Sequence, residues 1–358
     1  MKRLTIGCHS VAYPVVQGGM GVRISGHRLA GHVALNGGIG TIAAAGLALG
    51  SDSYDGTNFF AADRQGLLDE LQKAYAIAPE GVIGVNCMVA VQNYDDVVRT
   101  ACEGGAKLII SGAGLPMTLP GLTIDFPKVA LVPIVSSLKA AELIARKWSK
   151  TYQRLPDAVV VEDPDTAGGH LGEKPERIGT GEYDQYTTVR AVKKYFSTQW
   201  ELDIPIIAAG GVWDRQDLEY ALSQGADAVQ MGTRFVVTEE CDADPAFKQA
   251  YLDCSQDDVG LIMSPAGLPG RAIRRNIDQV RQRDLDLDVY CPSGCLKKCA
   301  YKAQREKFCI VHALDRAQKG DTETGLIFCG SNAWKADRMT TVKEIFAELF
   351  PQQVQTAV

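Results

Sequence analysis

Eight short apolar runs, most of them rich in β-branched residues and each closed by glycine or small residues, recur along this chain at residues 13–16, 39–43, 82–85, 107–110, 130–134, 158–161, 205–208 and 226–230. Stretches of helical periodicity lie between them, over 64–75, 95–103, 137–148, 186–195 and 214–224. Continuous short runs alternating with helices suit parallel strands buried on both faces. Eight in series predict an α/β fold of one particular kind, a closed (β/α)8 or TIM barrel.

An open doubly wound sheet is the structural alternative, and it concentrates its ligand loops at one switch point. Here the Gly, Asn, Ser and His residues follow runs one, three, four, six, seven and eight, as they do around a barrel mouth. After Phe235 the pattern breaks. Residues 239–324 are polar and cysteine-rich, with helical stretches at 245–252 and 274–281, and read as a cap inserted after strand eight. The barrel domain is then 1–238 with 325–358. It closes on a helix over 341–349 with Val342, Ile345, Phe346 and Leu349 on one apolar face.

The net charge of −6 and the absence of any Lys/Arg block disfavour nucleic acid and membrane surfaces as partners. No run approaches the ~20 apolar residues of a membrane span and no secretory h-region opens the chain, so a cytoplasmic protein is expected. A homo-oligomer is compatible with the sequence. Ten cysteines in 358 residues do not make a secreted disulfide scaffold and read as free thiols or ligands.

The chemistry gathers at the run ends. In VEDPDTAGGHLG (161–172) a histidine, His170, follows a glycine pair just past the sixth run. Glycines allow backbone to approach a ligand, and an imidazole exchanges protons near neutral pH. Of the five histidines it alone has this setting; His9, His27, His32 and His312 read as surface or packing residues. Ala209, Gly210 and Gly211 close run seven, and Gly232 and Thr233 follow run eight. These are the two loops that commonly hold a phosphate in barrels, with Arg234 available to add charge. Gln17, Gly18, Gly19, Met20 and Gly21 face them across the mouth, where a flat ring can rest on bare backbone and Gln17 or Asn86 can donate to ring heteroatoms.

Cys291, Cys295, Cys299 and Cys309 form C-x3-C-x3-C-x9-C, with Cys329 further on. On a helix the first three would share a face, and four thiolates can hold an iron–sulfur cluster or zinc. Neither the C-x2-C zinc spacing nor the common ferredoxin spacing is present, and the alternative is a set of reduced, partly buried thiols.

In that order, YPVVQGGM, GVN, SGAG, AGGHLG, AAGGV and QMGTRF resemble the FMN-dependent nitronate monooxygenases and, almost as well, the flavin-type enoyl-ACP reductases. The likeness covers the barrel and extends to GRAIRR (270–275) and GSNA (330–333). It implies non-covalent FMN, with the phosphate on Gly210, Gly211, Gly232 and Thr233. The ring would lie near Gly18, Gly19, Met20 and Asn86, with Gln17, Gly169, Ala209 and Gln230 also at the cofactor. It implies that His170 takes a proton from a nitroalkane or positions a nitronate, which oxygen converts to a carbonyl compound and nitrite without nicotinamide. The reductase alternative uses NADH to reduce a carbon–carbon double bond, and an alternative of another class is a flavin/iron–sulfur electron-transfer module. Where the family often has an acidic residue before AGGH, this chain has Thr166, leaving Asp165 or Glu162 to orient His170.

Overall fold

The computed structural model describes residues 3–286, 291, 293–299 and 308–351. Two short antiparallel strands, β1 (Leu4–Ile6) and β2 (His9–Val11), open the chain. Then come β3 (Val15–Gln17), β4 (Ile39–Ala43), β5 (Val82–Met88), β6 (Leu108–Gly112), β7 (Ala130–Val135) and β8 (Val159–Glu162). A two-residue strand, β9 (Gly169–His170), precedes β10 (Ile206–Ala209) and β11 (Ala228–Met231). Strands β3 to β8, β10 and β11 form a closed, all-parallel barrel in sequence order. The expected barrel is therefore present, with its first strand displaced toward Gln17.

Two apolar layers hold it. Inward residues such as Val16, Ile39, Leu108, Ile110, Val160 and Ile207 pack with Leu4, Ile6 and Val11, so the β1–β2 hairpin plugs one end of the barrel. Outward residues such as Val15, Ile42, Val85, Ile109 and Val161 meet the helices. These include Phe59–Ile77, Tyr94–Glu103, Leu138–Tyr152, Gln185–Gln199 and Arg215–Ser223, each overlapping an expected helix. The last described helix, Val342–Leu349, buries Val342, Ile345, Phe346 and Leu349. It packs against both His27–Leu35 and Arg215–Ser223, closing the helical ring.

The segment after β11 is bound into the barrel. Asp242 accepts the N–H groups of Gly26 (2.9 Å), Arg28 (3.1 Å) and Leu29 (3.1 Å), while Glu70 accepts from the His27 backbone (2.6 Å) and ring (3.0 Å). Helix His27–Leu35, which has no side-chain cap of its own, is thus capped from two other elements. His27 is a packing residue, its pKa raised by the Glu70 hydrogen bond.

Strands β12 (Val259–Met263), β13 (Pro269–Ile273) and β14 (Ile327–Phe328) build a small antiparallel sheet in and just beyond the region read as a cap. Sequence reading found no alternation there because β13, at the sheet centre, is buried at every position. Its remaining partner is β9, from the loop after β8. Among the described residues no helix is long and apolar enough to cross a membrane.

One contact tests this packing. A Cβ on Gly40 of β4 would lie 1.8 Å from the carbonyl oxygen of Ala30, in the helix laid on that strand. Gly40→Ala should therefore cost at least ~2 kcal/mol in denaturant unfolding; an unchanged midpoint would contradict the packing.

Candidate active site

The C-terminal ends of the barrel strands surround a cavity of about 270 Å³. Its floor is set where the barrel closes. β11 pairs with β3, and the Gly18 N–H donates to Met231 O at 2.9 Å, which brings Gly18, Gly19 and Met20 beside Gln230, Gly232 and Thr233. Gly19 lies against Asn86 so closely that a Cβ would fall 2.3 Å from the asparagine Cβ. At the end of β10, Gly210 and Gly211 take φ of +112° and +68°, in the region glycine favours. Ala209, Gly210 and Gly211 also line the cavity, as does Gly169.

A third loop joins the two expected phosphate loops. Gly330 N–H donates to Thr233 Oγ1 (2.9 Å), Asn332 Nδ2 to Gly211 O (2.6 Å) and Ser331 N–H to Thr166 O (2.9 Å). Gly330, Ser331 and Asn332 all line the cavity; the GSNA string marked them, but not as site residues. Gln230 Oε1 is buried on this wall with no hydrogen-bond partner among the described residues, an acceptor in want of a donor.

His170 is not in a free loop. In β9 it pairs with Gly270 of β13, and Gly169 pairs with Arg271. Arg271, 6% exposed, donates to Pro164 O (3.2 Å) and to Ala167 O, so its guanidinium clamps the turn that leads into the glycine pair. His170 Nε2 lies 2.7 Å from Ser264 Oγ, and its ring meets Phe328 edge-on at 5.1 Å between centroids. Burial lowers its pKa to about 4, so the ring is neutral at physiological pH. Nδ1 makes no hydrogen bond within the described residues.

The expected orienting carboxylates are corrected. Asp165 instead accepts the Gly179 N–H at 2.7 Å. Glu162 lines the cavity without a hydrogen bond to His170, its carboxyl pushed up to about 7 by burial and then by Asp163. Ser264 takes the role, 94 residues away in sequence. Thr166 is bonded to Asp163 Oδ2 at 2.6 Å. Sequence reading also passed over Asp63, a mid-helix residue on the cavity wall that burial raises to about 6.

Two other expectations shift. Gln17 does not line the cavity; its Oε1 accepts the Thr41 N–H (2.9 Å) and its Nε2 donates to Gly18 O. Arg234 turns away to pair with Glu348 at 2.5 Å and to lie over the Trp213 ring at 5.0 Å, so it brings no charge to the phosphate loops. Of the cysteines, Cys295 and Cys329 both line the cavity and are buried, but they belong to different apolar clusters, Cys329 packing with Cys241 and Cys254.

A glycine-floored cavity at the strand ends of a (β/α)8 barrel, with a half-buried neutral imidazole on its wall, defines an enzyme site of the barrel class. The family described as nitronate monooxygenase matches residues 2–352, and the chain belongs to that family, a family of oxidoreductases. Over 267 residues it is 27% identical to a (3aS,4S,5R,7aS)-5-hydroxy-7a-methyl-1-oxo-octahydro-1H-indene-4-carboxyl-CoA dehydrogenase of Mycobacterium tuberculosis, covering 75% of this chain and 64% of the relative. The match thus spans less than two thirds of that dehydrogenase. A probable nitronate monooxygenase of Staphylococcus saprophyticus is 24% identical over 318 residues, 79% of this chain and 82% of the relative. The solved structure of FabK from Thermotoga maritima superimposes with a TM-score of 0.70 at 25% identity, covering 97% of this chain and 95% of that one.

Two tests follow from the geometry. Arg271→Met leaves the Pro164 and Ala167 carbonyls without their donor and should cost on the order of 3 kcal/mol in denaturant unfolding, whereas a loss under ~0.5 kcal/mol would show that the guanidinium does not hold the turn. Glu162 has a folded pKa raised from 4.5 to about 7, so its stability contribution falls as pH rises through that window. The apoprotein of Glu162→Gln should melt above wild type at pH 8, with the difference gone by pH 4; equal shifts at both pH values would contradict the burial of this carboxyl.

Proposed function

We propose that this protein is an FMN-dependent oxidoreductase that oxidises alkyl nitronates with dioxygen to a carbonyl compound and nitrite. The observation that carries the reading is His170, a neutral imidazole fixed by Ser264 on the wall of the same cavity as the glycine loops. Family membership supports it.

The residues present fit FMN. Backbone N–H groups around Gly210, Gly211, Gly232 and Thr233 would hold the phosphate, because glycines leave the backbone open and need no counter-charge from Arg234. Gly18, Gly19, Met20, Asn86, Gly169 and Ala209 would border the ring, and the unpaired Gln230 Oε1 would accept from a ring N–H. Bound there, FMN supplies the electron acceptor for the substrate and the reductant for oxygen.

The chain's own residues handle the proton and the alkyl group. The tautomer that serves as a base donates Nε2–H to Ser264 Oγ and keeps the Nδ1 lone pair for the α-proton of a neutral nitroalkane, converting it to the nitronate that is oxidised; a nitronate supplied as such needs only positioning. A nitronate anion beside the ring favours the imidazolium and raises the low pKa of the empty site. Leu296, Val311, Leu314 and Phe328 line the cavity and give an alkyl chain an apolar wall.

A second reading, NADH-dependent reduction of an enoyl thioester, is supported by the likeness to FabK and by the relative named as an indene-4-carboxyl-CoA dehydrogenase, whose printed name carries a coenzyme A thioester. Flavin-loaded protein should consume oxygen and release nitrite with an alkyl nitronate in the absence of nicotinamide; NADH oxidation that depends on an enoyl thioester would establish the second reading instead. His170→Ala should lower kcat/KM for the neutral nitroalkane ~10²–10⁴-fold, and less for the preformed nitronate, with the flavin spectrum retained. Wild-type turnover in that variant would remove His170 from the mechanism. In free enzyme the base is neutral down to about pH 4, so an acid limb of kcat/KM near pH 6–7 belongs to Glu162 or Asp63, and its loss in Glu162→Gln with retention in Asp63→Asn assigns it to Glu162.

A further inference from the structure

We infer that Cys291, Cys295, Cys299 and Cys309 form the ligand set of an iron–sulfur cluster set into the wall of the cavity. This does not depend on which substrate the cavity takes.

Four-residue spacing would collect three thiols on one face of a helix, yet the described residues of 291–299 form no helix; they are irregular chain with a single β-bridge between Leu296 and Val91. Nothing periodic therefore gathers these sulfurs. The tertiary structure does so all the same. Cys309 comes in from the N-cap of helix Ile310–Gln318, its neighbours Phe308 and Ile310 pack in one apolar cluster with Cys295 and Leu296, Cys299 lies against that same cluster, and Cys291 stands four residues before Cys295 on the same segment. Each of the four is buried or half-buried.

The segment is also pinned in place. Gln92 N–H donates to Cys295 O (2.8 Å), Lys297 N–H to Ala90 O (2.9 Å) and Lys297 Nζ to Val89 O (2.8 Å), which stitches it to the loop after β5 at the barrel mouth. Cys295 and Leu296 line the cavity directly, as do Ile310 and Val311, which follow Cys309.

Spacing selects the kind of centre. A zinc ion bound at ~2.3 Å by tetrahedral sulfurs holds them roughly 3.8 Å apart. Among the described residues no three of these sulfurs lie within 4.8 Å of one another. A cluster interposes its own iron and sulfide atoms between the ligands and suits a wider set of thiolates in a largely dry site. Cys329, the fifth candidate, packs with Cys241 and Cys254 in an apolar cluster separate from the one that holds Cys295, and is left out of the set.

The test uses the full chain, purified and reconstituted anaerobically with ferrous iron and sulfide, with iron, acid-labile sulfide and zinc measured on the desalted protein. We expect iron and sulfide in matching amounts, together with an electron paramagnetic resonance signal after dithionite reduction. Both should be lost in Cys295→Ser and Cys299→Ser and kept in Cys8→Ser, whose thiol is exposed in the turn of the β1–β2 hairpin. Cys299 is half-buried, so its serine variant reads the site even if Cys295→Ser fails to fold, and circular dichroism reports folding separately. Absence of iron and sulfide from reconstituted wild type, uptake of zinc in their place, or iron retained in Cys299→Ser would overturn the proposal. None of these outcomes bears on nitronate turnover, which the oxygen assay reads independently.

Discussion

The pairing of β11 with β3 is the constraint from which the rest of the molecule follows. An eight-stranded sheet that failed to close would leave two edges of unpaired N–H and C=O groups, and here Val229, Gln230 and Met231 meet Val15, Val16 and Gln17 instead. Closure does more than satisfy hydrogen bonds. It sets the loop after the first barrel strand against the loop after the last, so Gly18 and Gly19 share a cavity with Gly232 and Thr233 although more than two hundred residues separate them. Parallel strands point all their C-terminal ends to one rim, and every loop with chemistry in it arrives there.

A second constraint converts that rim into a site. β13 carries β12 on one edge and, on the other, β14 and the two residues of β9. The residue that pairs with Gly169 is Arg271, whose guanidinium holds the preceding turn through Pro164 O and Ala167 O. Backbone pairing on one side and a buried guanidinium on the other leave His170 little freedom. Ser264, at the other end of the β12–β13 connection, then fixes the ring. The electrostatic consequence is a neutral imidazole: it has a hydroxyl neighbour rather than a carboxylate, and burial acts on its charge unopposed. Such a ring waits for a negative charge to form beside it, which suits a base whose product is an anion.

Much of this was legible in the residues. The runs were readable because strands buried on both faces are continuously apolar, and β4, β6 and β10 are buried at every position. The glycine strings at their ends were readable because close approach and positive φ narrow the choice of residue, and Gly18, Gly19, Gly210, Gly211 and Gly232 all line the cavity. The antiparallel sheet was not readable: two of its strands are two residues long, and β13 shows no alternation. Nor was the direction of a side chain at a strand end. Gln17 and Gln230 stand on paired neighbouring strands, yet Gln17 spends its amide on Thr41 and Gly18 while Gln230 leaves an acceptor bare in the cavity. Strand register and the alternation of faces decide between them, and neither is written in local composition.

The sequence by itself determined the architecture, the loops that carry glycine and the histidine set among them, because periodicity and backbone conformation are local properties. Only the tertiary structure decided what His170 leans on, where Arg234 points and which thiols surround Cys295. The first two are contacts between residues 94 and 114 positions apart, and the third brings Cys309 to Cys295 through the apolar cluster around Phe308 and Ile310; they exist only once the chain has packed.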